Sequence, residues 1–278
     1  MRIAILGLGT MGAGVASRLA DADNDLTVWN RTRAVAETFS SGRNVRIGED
    51  AASAVADCDV VFSFLTDDAA SREVWGTVLS ACGPDTLVVE SSTVSPERAE
   101  EFVTQATQAG LRSAVALMVG SKPQAEGGML TFLTGGAEDA ASRVALILEP
   151  ASSSVRHVGA PHQAAILKLS INTLLATQLV AMAAIKRVAD AAHMGAALDL
   201  VSDIPVFSPL VLGLLARMRA GDFTPNFSVD LIEKDLGYMA AVANEHGVDA
   251  SAVEAVRAVF TRASHEGLGD KDFSIVGS

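Results

Sequence analysis

Residues 2–32 constrain the fold more than any other stretch. Arg2-Ile3-Ala4-Ile5-Leu6 is a short apolar run of strand type, and it leads straight into Gly7-Leu8-Gly9-Thr10-Met11-Gly12, a G-x-G-x-x-G. An Ala-rich helical pattern follows from Ala13 to Ala20. Leu26-Thr27-Val28-Trp29 then reads as a second strand, ending at Asn30-Arg31-Thr32. Strand, glycine turn, helix and strand in this order make the βαβ unit that holds a dinucleotide. Gly7 permits the tight turn, Gly9 keeps side-chain bulk off the pyrophosphate, and Gly12 lets the helix approach the sheet. The pyrophosphate is expected on the free N–H groups and positive dipole end of the helix, along Leu8, Thr10 and Met11.

The end of the second strand usually chooses the cofactor. A carboxylate there would hold the ribose 2′-OH of NAD. Here the residues are Asn30, Arg31 and Thr32, with Arg33 close behind. An amide, a hydroxyl and a guanidinium suit a 2′-phosphate, because Arg can bind phosphate with two parallel bonds. NADP is therefore the expected cofactor. The competing reading makes Arg31 and Arg33 solvated residues at a helix start.

The length of 278 residues suggests two domains. The formal net charge of −12 argues against nucleic acid and against an anionic membrane surface as partners. Cys58 and Cys82 have no metal spacing and no disulfide framework, so they read as ordinary thiols of a reducing compartment. No metal site is expected. The N-terminal apolar run is too short for a signal peptide and is used up as a strand. The most apolar long segment, around 164–185, is interrupted by Lys168, Asn172 and Gln178 and is not a convincing membrane span. These features give the expectation of a cytoplasmic protein.

Strand and helix signals alternate through residue 158, with Ser95-Pro96-Glu97 as a capped helix start. That alternation predicts an α/β, Rossmann-type doubly wound domain over residues 1–161. Ligands of such sheets bind beyond the carboxyl ends of the strands. The turns after Leu65 and Glu90 should therefore face the cofactor. From His162 the strand signal stops. Ala, Leu and Ile recur at helical spacing to about His193, and further helices are expected near 196–203, 208–220, 228–246 and 249–265. Residues 162–278 thus read as an all-α C-terminal domain for substrate and oligomerisation. Its long helix is apolar nearly all round and is expected to be buried on several sides. A homodimer or homotetramer through the helical domain follows.

Lys168 stands out in the apolar segment Ala165-Ile166-Leu167-Lys168-Leu169-Ser170-Ile171-Asn172. Lys168 and Asn172 are four apart and share a helix face. Partial burial would lower the lysine pKa towards the range useful for proton transfer. Lys168 can then deliver a proton to a carbonyl oxygen that Asn172 orients. The local sequence equally allows a snorkelling lysine beside a polar patch.

A set of motifs shifts that balance. Gly7-Leu8-Gly9-Thr10-Met11-Gly12, Asn30-Arg31-Thr32, Ser92-Thr93-Val94-Ser95-Pro96, Lys168-Leu169-Ser170-Ile171-Asn172, Lys234-Asp235-Leu236 and Gly267-Leu268-Gly269-Asp270-Lys271-Asp272 occur in order along the chain. In these motifs the chain resembles the β-hydroxyacid dehydrogenase family, which includes 3-hydroxyisobutyrate dehydrogenase and glyoxylate/succinic semialdehyde reductase. The resemblance covers essentially the whole length. It implies a hydride transfer between NADP and a small carbonyl or alcohol, in a cleft between the two domains. It implies that Lys168 is the acid/base and Asn172 its partner on the substrate. It places Thr93 near the nicotinamide, Leu65 and Thr66 along the cofactor, and Ser92 against the substrate. It also implies that Lys234 reaches the cofactor; unaided, Glu233-Lys234-Asp235 reads as a solvated charge run.

One stretch departs from the family. Where its members usually carry Asp-Ala-Pro-Val-Ser-Gly, this chain has Val115-Ala116-Leu117-Met118-Val119-Gly120, followed by Ser121. Val119 replaces the serine that helps hold a substrate carboxylate. The N–H groups of Gly120 and Ser121, and Ser121 or Lys122, remain as anion donors. An aliphatic wall penalises a charge, so the substrate is expected to be less polar at this end. Met118, Val119, Phe207 and Phe227 are weak candidates for that wall beside simple core packing. Imine reductases share the plan and an apolar pocket, but many carry Asp or Tyr where this chain has Lys168. A non-catalytic NADP-binding scaffold is the remaining alternative, and retention of Lys168 and Asn172 argues against it.

Overall fold

The computed structural model describes residues 1–278. The chain divides into two units, Met1–Lys168 and Leu169–Ser278.

In the first unit eight strands form one sheet. They are β1 (Arg2–Leu6), β2 (Asp25–Trp29), β3 (Arg46–Ile47), β4 (Val60–Ser63), β5 (Leu87–Glu90), β6 (Arg112–Val119), β7 (Leu130–Gly136) and β8 (Ser152–Gly159). The spatial order is β3-β2-β1-β4-β5-β6-β7-β8. Every neighbouring pair is parallel except β6 and β7. The first six strands thus have the doubly wound dinucleotide-binding order, whose two halves meet at β1 and β4. The helices between them are α1 (Thr10–Asp21), α2 (Arg33–Ser40), α3 (Ala51–Val55), α4 (Asp68–Val78), α5 (Pro96–Gln108), α6 (Lys122–Glu126) and α7 (Glu138–Ile147). Two apolar clusters cover the two sheet faces. Ile3 and Ile5 point into one, Ala4 and Leu6 into the other, as the two-residue strand period requires.

The short helix α6 is absent from the sequence reading. Its signal was present: Ser121 and Gln124 form a capping box, with Pro123 in the first turn. Its Ala125 packs against Gly14 of α1, where an added Cβ would lie 2.7 Å from the Ala125 Cβ.

The second unit is all helical, with α9 (Pro209–Ala220), α10 (Val229–Glu245) and α11 (Ser251–Ala263). The helix expected near 196–203 is a 3₁₀ segment, Gly195–Val201. The long helix α8 (Pro161–Ala191) crosses the division between the units. Within α8, Ala164 and Ala165 belong to the core of the sheet unit. Further along, Ala176, Leu179, Met182 and Ala183 join the core of the helical unit. The expected burial on several sides does not hold within the chain: 39% of the most apolar 18-residue window of α8 is buried. Leu174, Ile185 and Val188 stand exposed. By length and composition α8 could cross a membrane, but its buried side serves as core in both units.

The turn after β1 is the tightest approach in the sheet unit. Gly7 has φ +101, and a Cβ there would lie 2.2 Å from the Phe64 carbonyl oxygen. At Gly12 a Cβ would sit 2.8 Å from the Phe64 Cβ. Gly7→Ala should therefore combine left-handed strain with a backbone clash and cost at least ~2 kcal/mol. Urea unfolding of the variant would show a lower midpoint at unchanged slope.

Candidate active site

The expected cofactor residues of the sheet unit gather at the carboxyl ends of β1, β2, β4 and β5. Gly7, Leu8 and Gly9 follow β1, and Gly9 stands at the N-cap of α1 with no side chain capping the helix. An added Cβ on Gly9 would meet nothing within 4 Å. Uncapped helix N–H groups beside open space fit the pyrophosphate of a dinucleotide. Thr10, Met11 and Gly12 form the first turn.

Asn30 is held within the chain at the end of β2. Its Oδ1 accepts the Leu8 N–H at 3.1 Å, and its Nδ2 donates to the Thr32 carbonyl at 3.0 Å. The carboxamide braces the end of β2 against the glycine turn. Arg33 pairs with Glu37 at 3.0 Å. Arg31 and Thr32 are exposed at the same edge.

The loops after β4 and β5 are laced together. Leu65 N–H donates to Ser92 Oγ at 2.6 Å. Asp68, at the start of α4, accepts from Ser95 N–H at 2.9 Å and Ser95 Oγ at 2.6 Å. Ser92 is therefore a buried brace between the two loops. Thr66, on the exposed side of its loop, donates to Asp67. Thr93 is half-buried beside Ser91, whose buried hydroxyl has no protein partner.

Val119 ends β6 and Gly120 follows it, where the substrate contacts were expected. The Ser121 N–H already donates to Gln124 Oε1 at 3.1 Å, and the Ser121 hydroxyl bonds the same oxygen. That removes the Ser121 donors from the anion site proposed from sequence. Met118 and Val119 are half-buried apolar side chains at this strand end.

Lys168 and Asn172 lie one turn apart on α8, and both are buried, at 8% and 3% exposure. Asn172 Nδ2 donates to Asp235 Oδ2 at 2.6 Å. Asp235, on α10, is 2% exposed. A carboxylate only accepts, so Asp235 dictates which end of the Asn172 amide faces it. The other oxygen, Asp235 Oδ1, forms an ion pair with Lys234 Nζ at 2.9 Å. The Lys234 ammonium also sits 4.8 Å from the centre of the Tyr238 ring. Asp235 is thus a buried partner of both Asn172 and Lys234 that the charge run Glu233-Lys234-Asp235 does not reveal. Its signal was its place in the Lys234-Asp235-Leu236 motif. Phe207 and Phe227 pack against the core of the helical unit, as ordinary packing residues do.

Both cysteines are held as thiols. Burial pushes the Cys58 and Cys82 thiols up to about 11, which keeps both protonated at neutral pH.

Residues 2–159 match the family model for the NAD binding domain of 6-phosphogluconate dehydrogenase. Residues 163–277 match that for the NAD-binding of NADP-dependent 3-hydroxyisobutyrate dehydrogenase. A probable 3-hydroxyisobutyrate dehydrogenase of Mycobacterium tuberculosis is 31% identical over 255 residues, covering 87% of this chain and 85% of that protein. The chain belongs to the β-hydroxyacid dehydrogenase family. As a member it is an NAD(P)-dependent oxidoreductase. A solved M. tuberculosis 3-hydroxyisobutyrate dehydrogenase with L-serine superposes with TM-score 0.87 at 27% identity, covering 99% of this chain and 97% of that one. An imine reductase from Pseudomonas sp. shares the fold, with TM-score 0.67 at 20% identity, covering 99% and 97% of the two chains.

Asp235→Ala should release the Asn172 amide. The expected result is a fall in kcat of about 10–100-fold, the scale set by small misplacements of reacting groups. Steady-state kinetics beside circular dichroism would check it, with the helical spectrum retained.

Proposed function

We propose that this dehydrogenase uses NADP, takes a small carbonyl or alcohol of the 3-hydroxyacid or semialdehyde type, and employs Lys168 as the acid/base. The observation that carries the reading is the buried Lys168 and Asn172 pair on one turn of an apolar helix, with the Asn172 amide anchored by a buried carboxylate. Burying two such polar groups is costly unless they are used or paired. Bound NADPH would supply the hydride. Lys168 exchanges the proton with the substrate oxygen, and Asn172 holds that oxygen in line. Thr93 and the Leu65-Thr66 loop hold the nicotinamide end. Arg31 and Thr32 take the 2′-phosphate, since the Asn30 amide is committed to the turn.

Val119 and Met118 leave an apolar wall where a carboxylate would sit, and Gln124 occupies the Ser121 N–H. The substrate is accordingly less polar at this end than a small hydroxyacid. The same wall is the observation that favours imine reduction as the second reading.

The test is NADPH and NADH oxidation over glyoxylate, succinic semialdehyde, apolar aldehydes and cyclic imines. Lys168→Ala and Arg31→Ala variants run beside the wild type. Carbonyl turnover should fall ~10²–10⁴-fold in Lys168→Ala, the usual contribution of general acid–base catalysis. Arg31→Ala should raise KM for NADPH about 10–100-fold and leave NADH alone, as expected for loss of one charge-assisted phosphate bond. Imine turnover that survives Lys168→Ala would move the protein to the second reading. Tight NADPH binding with no turnover on any compound would support the scaffold reading.

The exposed side of α8 and its neighbours, including Ile185, Val188, Met194 and Leu200, supports self-association through the helical unit. Val188→Glu should shift the protein from dimer or tetramer to monomer in light scattering. A wild-type protein that is already monomeric at micromolar concentration would end this part of the proposal.

A further inference from the structure

Glu90 is a fully buried carboxylate at the last position of β5. A charge in such a place is costly unless its hydrogen bonds are complete. Here they are complete. Glu90 Oε1 accepts from Ser63 Oγ at 2.7 Å and from the Ser92 N–H at 2.8 Å. Oε2 accepts from Ser71 Oγ at 2.5 Å and from Trp75 Nε1 at 3.0 Å. A serine hydroxyl can turn round and accept, but a backbone N–H and an indole N–H cannot. Each Glu90 oxygen faces one donor of the irreversible kind. Oε1 is therefore obliged to accept, while Oε2 shares the indole N–H with Ser63 Oγ, 3.2 Å from Trp75 Nε1.

Positive charge lies one hydroxyl away. Arg98, itself fully buried, donates its Nε to Ser71 Oγ at 2.9 Å, and Ser71 passes its own proton towards Glu90. Arg98 is balanced on its far side by Glu101 at 3.2 Å. Burial works to raise the Glu101 pKa, but the guanidinium groups of Arg72 and Arg98 outweigh it and hold the carboxyl below its usual range.

The four donors share a location. Ser63 is the last residue of β4, directly before Phe64-Leu65-Thr66. Ser92 lies in the loop after β5, directly before Thr93. Ser71 and Trp75 are on α4, which leaves the Leu65-Thr66 loop. Ser92, whose N–H Glu90 holds, is also the residue whose hydroxyl takes the Leu65 N–H. One side chain thus ties together both loops of the nicotinamide end and the helix behind them. Filling the position with an aliphatic residue, as at neighbouring Val88, would suffice for packing alone.

We propose that Glu90 is a positioning residue for the nicotinamide end of the cofactor site: its four-donor cradle sets the spacing of the Leu65-Thr66 and Ser92-Thr93 loops. The proposal rests on the cofactor reading above. It separates Glu90 from the adenine end, which the glycine turn and the Arg31 edge hold.

The test compares wild type with Glu90→Gln and Ser63→Ala. Glutamine keeps the shape, but whichever way it turns its NH₂ meets an irreversible donor. Ser63→Ala removes one tie and spares the rest, so it decides the matter if Glu90→Gln does not fold. Three quantities are read: affinity for 2′,5′-ADP, the enhancement of NADPH fluorescence on binding, and kcat against KM on the wild-type substrate. The expected result is unchanged 2′,5′-ADP affinity and a reduced fluorescence enhancement. With it comes a kcat loss of about tenfold or more in Glu90→Gln, in line with the sensitivity of hydride geometry to placement. Ser63→Ala should move the same way by less. Variants with unchanged fluorescence and kcat would overturn the proposal, as would parallel loss of 2′,5′-ADP binding, which marks general damage. Wild-type protein that binds neither nucleotide would overturn the cofactor reading itself, and with it the proposal.

Discussion

The fold of the sheet unit depends on how closely β1, α1 and β4 come together at Gly7, Gly12 and Phe64. No side chain fits there: the Phe64 carbonyl and Cβ already occupy the space that a Cβ on either glycine would need. The approach brings the start of α1 to the top of the sheet, where the strand order reverses. Helix N–H groups and open space beside Gly9 follow from it, and these are what a pyrophosphate needs. The Asn30 amide then locks the neighbouring strand end onto the same turn.

A second theme is the cost of burying polar groups. The chain buries Glu90, Arg98, Lys168, Asn172 and Asp235 in a protein half of whose residues are apolar. Each such group forfeits hydration that only well-placed partners return. Glu90 has four donors, and Asp235 holds an amide on one oxygen and an ammonium on the other. These networks share a physical consequence: their members have few alternative geometries. Low local dielectric strengthens the bonds and makes breaking one of them expensive. Rigid placement of that kind suits a reaction whose rate depends on alignment.

Helix α8 shows how composition and burial separate. Its apolar circumference suggested enclosure, yet its Leu174, Ile185 and Val188 side faces outward. The inner side is lined by Ala164, Ala165 and Ala176, small enough for other elements to pack close. The apolar outer side is not needed for the core of either unit.

What the sequence determined by itself was local or periodic. The glycine turn, the strand–helix alternation, the capped start of α5 at Ser95 and the switch to helix after 161 depend on residues within a few positions of one another. The short capping box of α6 was of the same kind, and its signal at Ser121 and Gln124 was there to be read. The tertiary structure alone decided what the polar residues do. Asn172 and Asp235 are 63 positions apart, and Ser63 and Glu90 are 27 apart. Asn30 became a brace for the glycine turn, and Ser92 a link between loops. A hydrogen bond needs a few tenths of an ångström of precision, and for distant residues only the folded chain sets that distance.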